Sequence, residues 1–158
     1  IAIARALATD TRLIVLDEPV SALDVSIRAQ IITQLEQLQQ RLGVSYLFIG
    51  HDLATVAHIS HRIVVMYLGQ IVETAESTDL CANPKHPYTQ ALLTAALPAH
   101  HDDKRERLAL TGEIPTALAP PSGCRFHPRC PRAMACCAVE VPASREIAAG
   151  HSVSCHLY

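Results

Sequence analysis

The stretch LIVLDEP at residues 13–19 predicts a buried strand that ends in two carboxylates. Its four consecutive apolar residues are typical of a strand covered on both faces, as in a parallel sheet, and Pro19 ends the run. Asp17 and Glu18 would then stand at the carboxyl end of the strand, where open α/β sheets bind ligands. There Asp17 would help to hold Mg²⁺ beside a nucleotide phosphate, and Glu18 would orient or deprotonate an attacking water.

The residues that follow predict a βαβ unit. Over residues 25–42, apolar side chains recur at steps of three and four, which is the pattern of a helix with one apolar face. Asp24 or Ser26 suits the start of this helix, and Gly43 suits its end. A second apolar run at residues 44–49 reads as a strand, so the two strands are expected to pair in a parallel sheet.

His51 follows the second predicted strand, at the same edge of the sheet as Asp17 and Glu18. Each feature has an ordinary explanation by itself, an acidic turn after a strand or a histidine on the surface. Their combination, one βαβ unit apart, favours a nucleotide site at this edge.

Together these residues resemble the ATPases of the ABC family. Residues 13–19 match its Walker B segment, residues 21–24 match its D-loop, and His51 matches its switch histidine. Residues 1–7 look like the helix that follows the family's signature motif. The resemblance implies an α/β fold, the C-terminal part of an ABC-type P-loop nucleotide-binding domain with a parallel sheet and flanking helices.

The resemblance also implies a role for each matching residue. Asp17 would support Mg²⁺, Glu18 would be the catalytic carboxylate, and His51 would contact the γ-phosphate of ATP. Ser21 and Asp24 would join the nucleotide-binding residues, and Asp24 would communicate across a dimer that sandwiches ATP.

Three motifs of that family are absent from the sequence: the phosphate-binding loop G-x-x-x-x-G-K-S/T, the Q-loop and the signature motif. Because the N–H groups and the lysine of that loop hold the phosphates, we expect the isolated chain neither to bind ATP tightly nor to hydrolyse it. The opening apolar stretch has no cap and no leader, so we expect the sequence to be a C-terminal fragment of a longer subunit.

The second half of the sequence narrows the family. The segments NPKHPYTQALL (83–93), LTGEIP (110–115) and PPSGCRFHPRCP (120–131) are similar to the tail of the subunits that power dipeptide and oligopeptide uptake. Generic ABC ATPases lack that tail. The resemblance therefore implies two parts, the nucleotide domain over residues 1–82 and a small peptide-importer extension, rich in Cys and Pro, over residues 83–158.

The tail carries four spaced cysteines and shows no clear helical or strand period after Pro115. Five, six and seventeen residues separate the four, which are Cys124, Cys130, Cys137 and Cys155. A subunit that works on cytoplasmic ATP meets reducing conditions, so a metal site is expected here in preference to disulfides.

Two metal centres fit four thiolates, a 4Fe–4S cluster and Zn²⁺. None of the spacings is the tight C-x₂₋₄-C of zinc knuckles, which favours iron–sulfur, and the tail resembles ones that carry such a cluster. Zinc, for which His127 or His156 could replace a cysteine, and no metal at all are the alternatives. Cys136 is a spare thiol beside Cys137 in this interpretation.

The resemblance implies ATP hydrolysis that energises an ABC importer of dipeptides or oligopeptides, although relatives import nickel or other small solutes. The partners would be a second ATPase subunit, in a homo- or heterodimer, two transmembrane permease subunits and, indirectly, an extracytoplasmic peptide-binding protein. The permeases would hold the subunit at the cytoplasmic face of the inner or plasma membrane, because no apolar run approaches the roughly 20 residues of a membrane span. A net charge of −2 argues against a broad nucleic-acid surface.

Two other classes compete with this one. ABC proteins of translation or DNA repair share the acidic pair and the histidine, but they lack the His-Pro-Tyr segment and the Cys-rich tail. A metal-binding regulatory module on a degenerate ATPase would not need Glu18 and His51, and both are intact.

Overall fold

A computed structural model describes residues 2–7, 11–96, 110 and 112–158 of the chain. It divides into two compact units, Ile1–Ser60 and His61–Tyr158. This division differs from the one that the family resemblance implies, because residues 61–82 cluster with the tail. The sequence also predicts a helix that ends at Pro98 and a polar linker at 100–107. Both lie outside the described residues, as do Ile1 and Thr111 of the LTGEIP segment.

The first unit is the predicted βαβ arrangement, with one helix before it and one helix after it in the chain. Its elements in chain order are α1 (Ala2–Leu7), β1 (Leu13–Asp17), α2 (Val25–Leu42), β2 (Ser45–Ile49) and α3 (Leu53–Ile59). β1 and β2 pair in parallel, with the last residue of β1 opposite the last residue of β2. The prediction of a parallel pair with an intervening helix is confirmed.

Local capping fixes both ends of α2. The Asp24 side chain accepts a hydrogen bond from Ile27 N at 2.9 Å, and Ser26 Oγ donates to the same carboxylate oxygen at 2.8 Å. Asp24 is therefore the cap, with Ser26 in support. Gly43 has the left-handed backbone (φ 65°) of a helix C-cap, and its N–H donates to Gln39 O.

The β1–β2 sheet is covered on one face within the described residues. Ile14 and Leu16 are each 5% exposed, and they share a core cluster with Ile32 and Leu35 of α2. The opposite face is open, with Val15, for example, 58% exposed. The expectation that β1 is buried on both faces is thus wrong for the described part of the chain, since α2 covers one side and no described residue covers the other.

The second unit begins with a hairpin, as the two apolar runs on either side of Leu68 and Gly69 predict. β3 (Arg62–Tyr67) and β4 (Gln70–Glu76) pair antiparallel around Leu68 and Gly69. Both turn residues have positive φ, 45° and 78°, as in the tight turns whose twist matches that of paired strands. Two helices follow, α4 (Ser77–Ala82) and α5 (Pro87–Ala96).

The tail contains more regular structure than its sequence pattern indicates. Two short 3-10 helices (His127–Arg129 and Ala135–Ala138) precede a hairpin of β5 (Ser144–Ala148) and β6 (His151–Ser154). β6 also pairs antiparallel with β4, which gives the sheet order β3-β4-β6-β5. The sequence after Pro115 shows no strand period, yet it contains two strands. β6 has only four residues, too few to show a period, and its pairing with β4 stabilises it as a strand.

A buried carboxylate joins three segments of this unit. Glu73 of β4 is 1% exposed. Its Oε1 accepts hydrogen bonds from Lys85 N at 2.7 Å and from the His151 ring at 2.8 Å, and its Oε2 accepts from His86 N at 2.9 Å. The other ring nitrogen of His151 lies 2.7 Å from Asp79 Oδ2. β4, β6, α4 and the start of α5 are therefore connected through one ionic hydrogen-bond network.

The His-Pro-Tyr segment is part of the core of this unit. The His86 ring is buried, and its Nδ1 accepts a hydrogen bond from Tyr88 N at 3.1 Å. Phe126 packs against His86, Tyr88 and Tyr67, with ring centroids 5.2–5.6 Å apart. These residues join α5, β3 and the cysteine-bearing tail into one aromatic cluster.

No helix in the described ranges combines the length and apolar character that crossing a bilayer requires.

Replacing the buried carboxylate should destabilise the second unit strongly. In Glu73→Gln, the amide oxygen still accepts hydrogen bonds, but the negative charge is lost. The amide NH₂ group then faces other hydrogen-bond donors, namely the N–H groups that bind the carboxylate. Removing one partner of a buried ion pair typically costs about 3–5 kcal/mol, and we expect a loss of this size in the free energy of unfolding. Hydrogen exchange of the β4 and β6 amides measures it. Glu76→Gln, an exposed site at the end of the same strand, should change it by less than about 0.5 kcal/mol, and equal effects at both sites would contradict the role of Glu73.

Acid should destabilise this unit through His86. Burial lowers the pKa of His86 from 6.5 to about 4. Between those values the unfolded chain binds the proton and the folded chain does not, so stability is complete above pH 6.5 and falls as the pH drops towards 4. The shift corresponds to about 3 kcal/mol. His86→Asn keeps an acceptor but cannot titrate, so its unfolding free energy should lose this part of the pH dependence. The same slope in both proteins would refute the assignment.

Candidate functional site

The backbone at the end of β1 holds Glu18 in an unusual conformation. Glu18 has φ 44°, in the left-handed region that residues other than glycine rarely occupy. Its N–H donates to Ile49 O at 2.9 Å, so the pairing with β2 continues one residue beyond the strand. Ser21 Oγ donates to Glu18 O at 3.0 Å. The turn is thus fixed from both sides and directs the chain sharply away from the sheet.

Glu18 and His51 lie together, as the sequence predicts. His51 Nδ1 is 3.1 Å from Glu18 Oε1, and the two side chains are 74% and 50% exposed. Asp17 is also exposed, at the same end of the sheet. A carboxylate with a histidine beside it can accept a proton from a water or orient it, and its exposure leaves it accessible to a ligand.

The other two predicted nucleotide-binding residues are engaged in local structure. The Ser21 hydroxyl is used in the turn at Glu18. Asp24 caps α2, and the hydrogen bond from Ile27 N, with a smaller effect of Ser26, holds the pKa of its carboxyl below the usual value. Asp24 therefore stays ionised at the start of the helix.

A salt bridge that the sequence did not reveal connects these segments. Arg28 Nη1 donates to Asp52 Oδ2 at 2.8 Å, and Arg28 Nη2 donates to Leu23 O at 3.2 Å. Thr55 Oγ1 also donates to Asp52 at 2.6 Å, and this bond, more than Arg28, keeps the pKa of Asp52 low. The network ties the loop before α2 to the residue after His51. The only sequence signal was the position of Asp52 directly after the histidine.

The second candidate site is the cysteine segment. Cys124 N donates to Cys137 O at 2.8 Å, which joins two distant parts of the tail. Gly123 makes this approach possible, since a Cβ there would lie 2.4 Å from the same carbonyl oxygen. Burial raises the pKa of the Cys155 thiol, and so, to a smaller degree, do the three other predicted metal ligands, Cys124, Cys130 and Cys137. The four thiols are thus electrostatic neighbours.

Cys136, which the sequence predicts to be a spare thiol, lies in the tightest group of metal-binding side chains among the described residues. Its sulfur, the sulfur of Cys137 and a ring nitrogen of His156 all lie within 4.8 Å of one another, and no other described group of three metal-binding side chains is so close. Of the four predicted ligands, this group contains only Cys137. His127 does not belong to this group, and its Nδ1 lies 2.9 Å from Cys124 O. All six cysteines lie in the described residues, and none of them forms a disulfide there.

Known proteins with similar sequences agree with this combination of features. The family described as "Oligopeptide/dipeptide transporter, C-terminal region" matches residues 72–137, which include Glu73, the His-Pro-Tyr segment and three of the four cysteines. A Brucella ovis protein whose name describes a peptide import ATP-binding protein is 54% identical over 155 residues, 98% of this chain and 49% of that protein. The chain is homologous to ATP-binding proteins of peptide ABC transporters.

A second relative extends the match over the whole chain. The oligopeptide transport ATP-binding protein AppF of Bacillus subtilis is 51% identical over 160 residues, covering 100% of this chain and 49% of AppF. The chain spans about half the length of the curated relatives it matches, and it corresponds to their C-terminal part. The resemblance to peptide-importer ATPases is confirmed, and so is a mixed α/β fold with one parallel and one antiparallel sheet.

Proposed function

We propose that the chain is part of the ATP-hydrolysing subunit of an ABC importer of dipeptides or oligopeptides. The contact of Glu18 with His51 at the carboxyl end of a parallel strand pair carries this proposal, because a carboxylate and a histidine lie together at the edge where such sheets bind nucleotides. The names of the two relatives, peptide import and oligopeptide transport, support the substrate class.

In this function each residue at the sheet edge has a distinct task. Glu18 orients and deprotonates the water that attacks the γ-phosphate, and His51, at 3.1 Å from it, contacts that phosphate. The exposed carboxylate of Asp17 is the hard oxygen ligand that Mg²⁺ prefers, and the ion neutralises charge on the phosphates when bound. Ser21 and Asp24 maintain the loop that faces a second ATPase subunit across the nucleotide.

The phosphate-binding loop would come from the part of the relatives' length that this chain does not span. The 158 residues contain no G-x-x-x-x-G-K-S/T sequence, so the chain by itself is expected to show no turnover. The nucleotide domain would end near residue 82, and residues 83–158 would form the peptide-importer extension. The complete subunit would work at the cytoplasmic face of the membrane with two permeases, which receive peptide from an extracytoplasmic binding protein.

Substitution of Glu18 tests the ATPase proposal. In the assembled transporter, Glu18→Gln should lower ATP hydrolysis by about 10²–10⁴-fold, the usual contribution of a positioned base, while ATP binding persists. Phosphate release and nucleotide binding are measured in parallel, together with peptide uptake. Glu76→Gln, an exposed carboxylate outside the site, should leave all three unchanged. Normal hydrolysis by Glu18→Gln would overturn the assignment.

We also propose that Cys124, Cys130, Cys137 and Cys155 hold a 4Fe–4S cluster, with Zn²⁺ as the alternative. The four thiols are neighbours, yet the tight group in the described residues contains only one of them. Four sulfurs around a zinc ion, at Zn–S of about 2.3 Å, would lie only about 3.8 Å apart. No three of the four thiols form such a tight group in the described residues, which suits a four-iron cluster that would act as a staple of the tail.

Metal analysis after anaerobic purification tests the cluster. We expect a brown protein with iron and sulfide near four each per chain, as four cysteine ligands around four irons require. Cys124→Ser and Cys130→Ser should remove the colour, and Cys81→Ser, a thiol outside the tail, should not. A colourless protein whose bound zinc is lost in Cys124→Ser would favour the alternative, and free reactivity of all four thiols would rule out both.

A further inference from the structure

Cys136, Cys137 and His156 form a ligand set that shares Cys137 with the four-cysteine set and is tighter than it. We propose that these three residues are a binding site for a thiophilic closed-shell cation, with Zn²⁺ as the cation to test. Two thiolates and one imidazole are a ligand combination that such ions favour. The inference is independent of the proposed ATPase activity.

The spacing of the three ligand atoms is close to what the ion needs. All three lie within 4.8 Å of one another. A tetrahedral zinc with bonds of about 2.3 Å to sulfur and 2.0–2.1 Å to nitrogen holds its ligand atoms roughly 3.5–3.8 Å apart. A contraction of about 1 Å therefore completes the site, which a change of side-chain torsion can supply.

The His156 ring has one nitrogen with a free lone pair. Its Nε2 lies 2.9 Å from Glu140 O. A carbonyl oxygen only accepts, so Nε2 carries the proton and Nδ1 keeps its lone pair. A hydrogen bond from the second ring nitrogen to a backbone carbonyl is the usual way in which a protein fixes the tautomer of a ligating histidine.

The two cysteines stand on one short scaffold. Both belong to the 3-10 helix Ala135–Ala138, and Glu140 N donates to Cys136 O at 2.8 Å. Glu140 thus connects the two parts of the ligand set: its N–H donates to Cys136 in the helix, and its carbonyl oxygen accepts from His156. Cys137 is buried, and Met134 N donates to its sulfur at 3.4 Å, a contact that stabilises a thiolate.

Binding displaces the thiol protons to solvent and leaves a fourth position for water. Two thiolates balance the charge of the ion. Because Cys137 also belongs to the four-cysteine set, a cation held here removes one ligand from any cluster there. The two sites therefore exclude each other, and the metal supply during folding decides which one forms.

A metal titration with two variants tests the site. The reduced, metal-free protein is titrated with Zn²⁺ against a chromophoric chelator, and with Co²⁺, whose thiolate charge-transfer bands report on sulfur ligation. Cys136→Ser and His156→Gln should each weaken zinc binding by at least about 100-fold. Loss of a residue that only hydrogen-bonds to a metal ligand costs about 10–100-fold, so a larger loss indicates a direct ligand. Cys124→Ser and His127→Gln, the matched controls, should bind zinc as the unchanged protein does.

The same variants separate this site from the proposed cluster. Cys136→Ser and His156→Gln should retain iron and sulfide, whereas Cys124→Ser should lose them. Bound zinc should also protect Cys136 and Cys137 from alkylation and leave Cys124 reactive, a measurement that needs no substitution. Unchanged zinc affinity in both Cys136→Ser and His156→Gln, or alkylation of Cys136 at the same rate with and without zinc, would overturn the proposal.

Discussion

A buried carboxylate needs donors, and at Glu73 this requirement organises the whole second unit. Two backbone N–H groups before α5 and one ring nitrogen of β6 satisfy it. Because an unpaired charge in this position would be costly, the three segments are fixed relative to one another. The family match over residues 72–137 includes the His-Pro-Tyr segment, and the structure gives that segment a physical role. It supplies an N–H to Glu73 and a neutral ring to the aromatic cluster.

The cysteines depend on the same network. Cys155 and His156 directly follow β6, and β6 is held to β4 through His151 and by pairing at Val153. Cys124 precedes Phe126, whose ring is buried among the aromatic residues. The thiols are thus positioned by a core that lies beside them, not by a metal alone. This is consistent with a tail that has two overlapping ligand sets, since the protein scaffold itself brings several thiols close together.

Long periodic segments were predictable from the sequence, and sites that depend on distant pairing were not. Apolar residues at intervals of three and four predict α2. An apolar run followed by Asp17 and Glu18 predicts the sheet edge at which His51 also lies. β6 was missed because four residues give no period, and its partner lies about eighty positions earlier in the chain. The contact between Arg28 and Asp52 was missed for a similar reason, since it crosses from a helix face to a loop. The proximity of Cys136 to His156 arises only when β6 is in place.

The left-handed backbone at Glu18 has a consequence for how this position can vary. A side chain with a Cβ costs roughly 1–2 kcal/mol there, whereas glycine adopts the same angles freely. Selection for a stable fold alone would therefore favour glycine at residue 18. Selection for a carboxylate at the sheet edge works in the opposite direction. The two requirements conflict at this one residue. A library screened for thermal resistance would therefore select glycine at position 18, and the same library screened for transport would select a carboxylate.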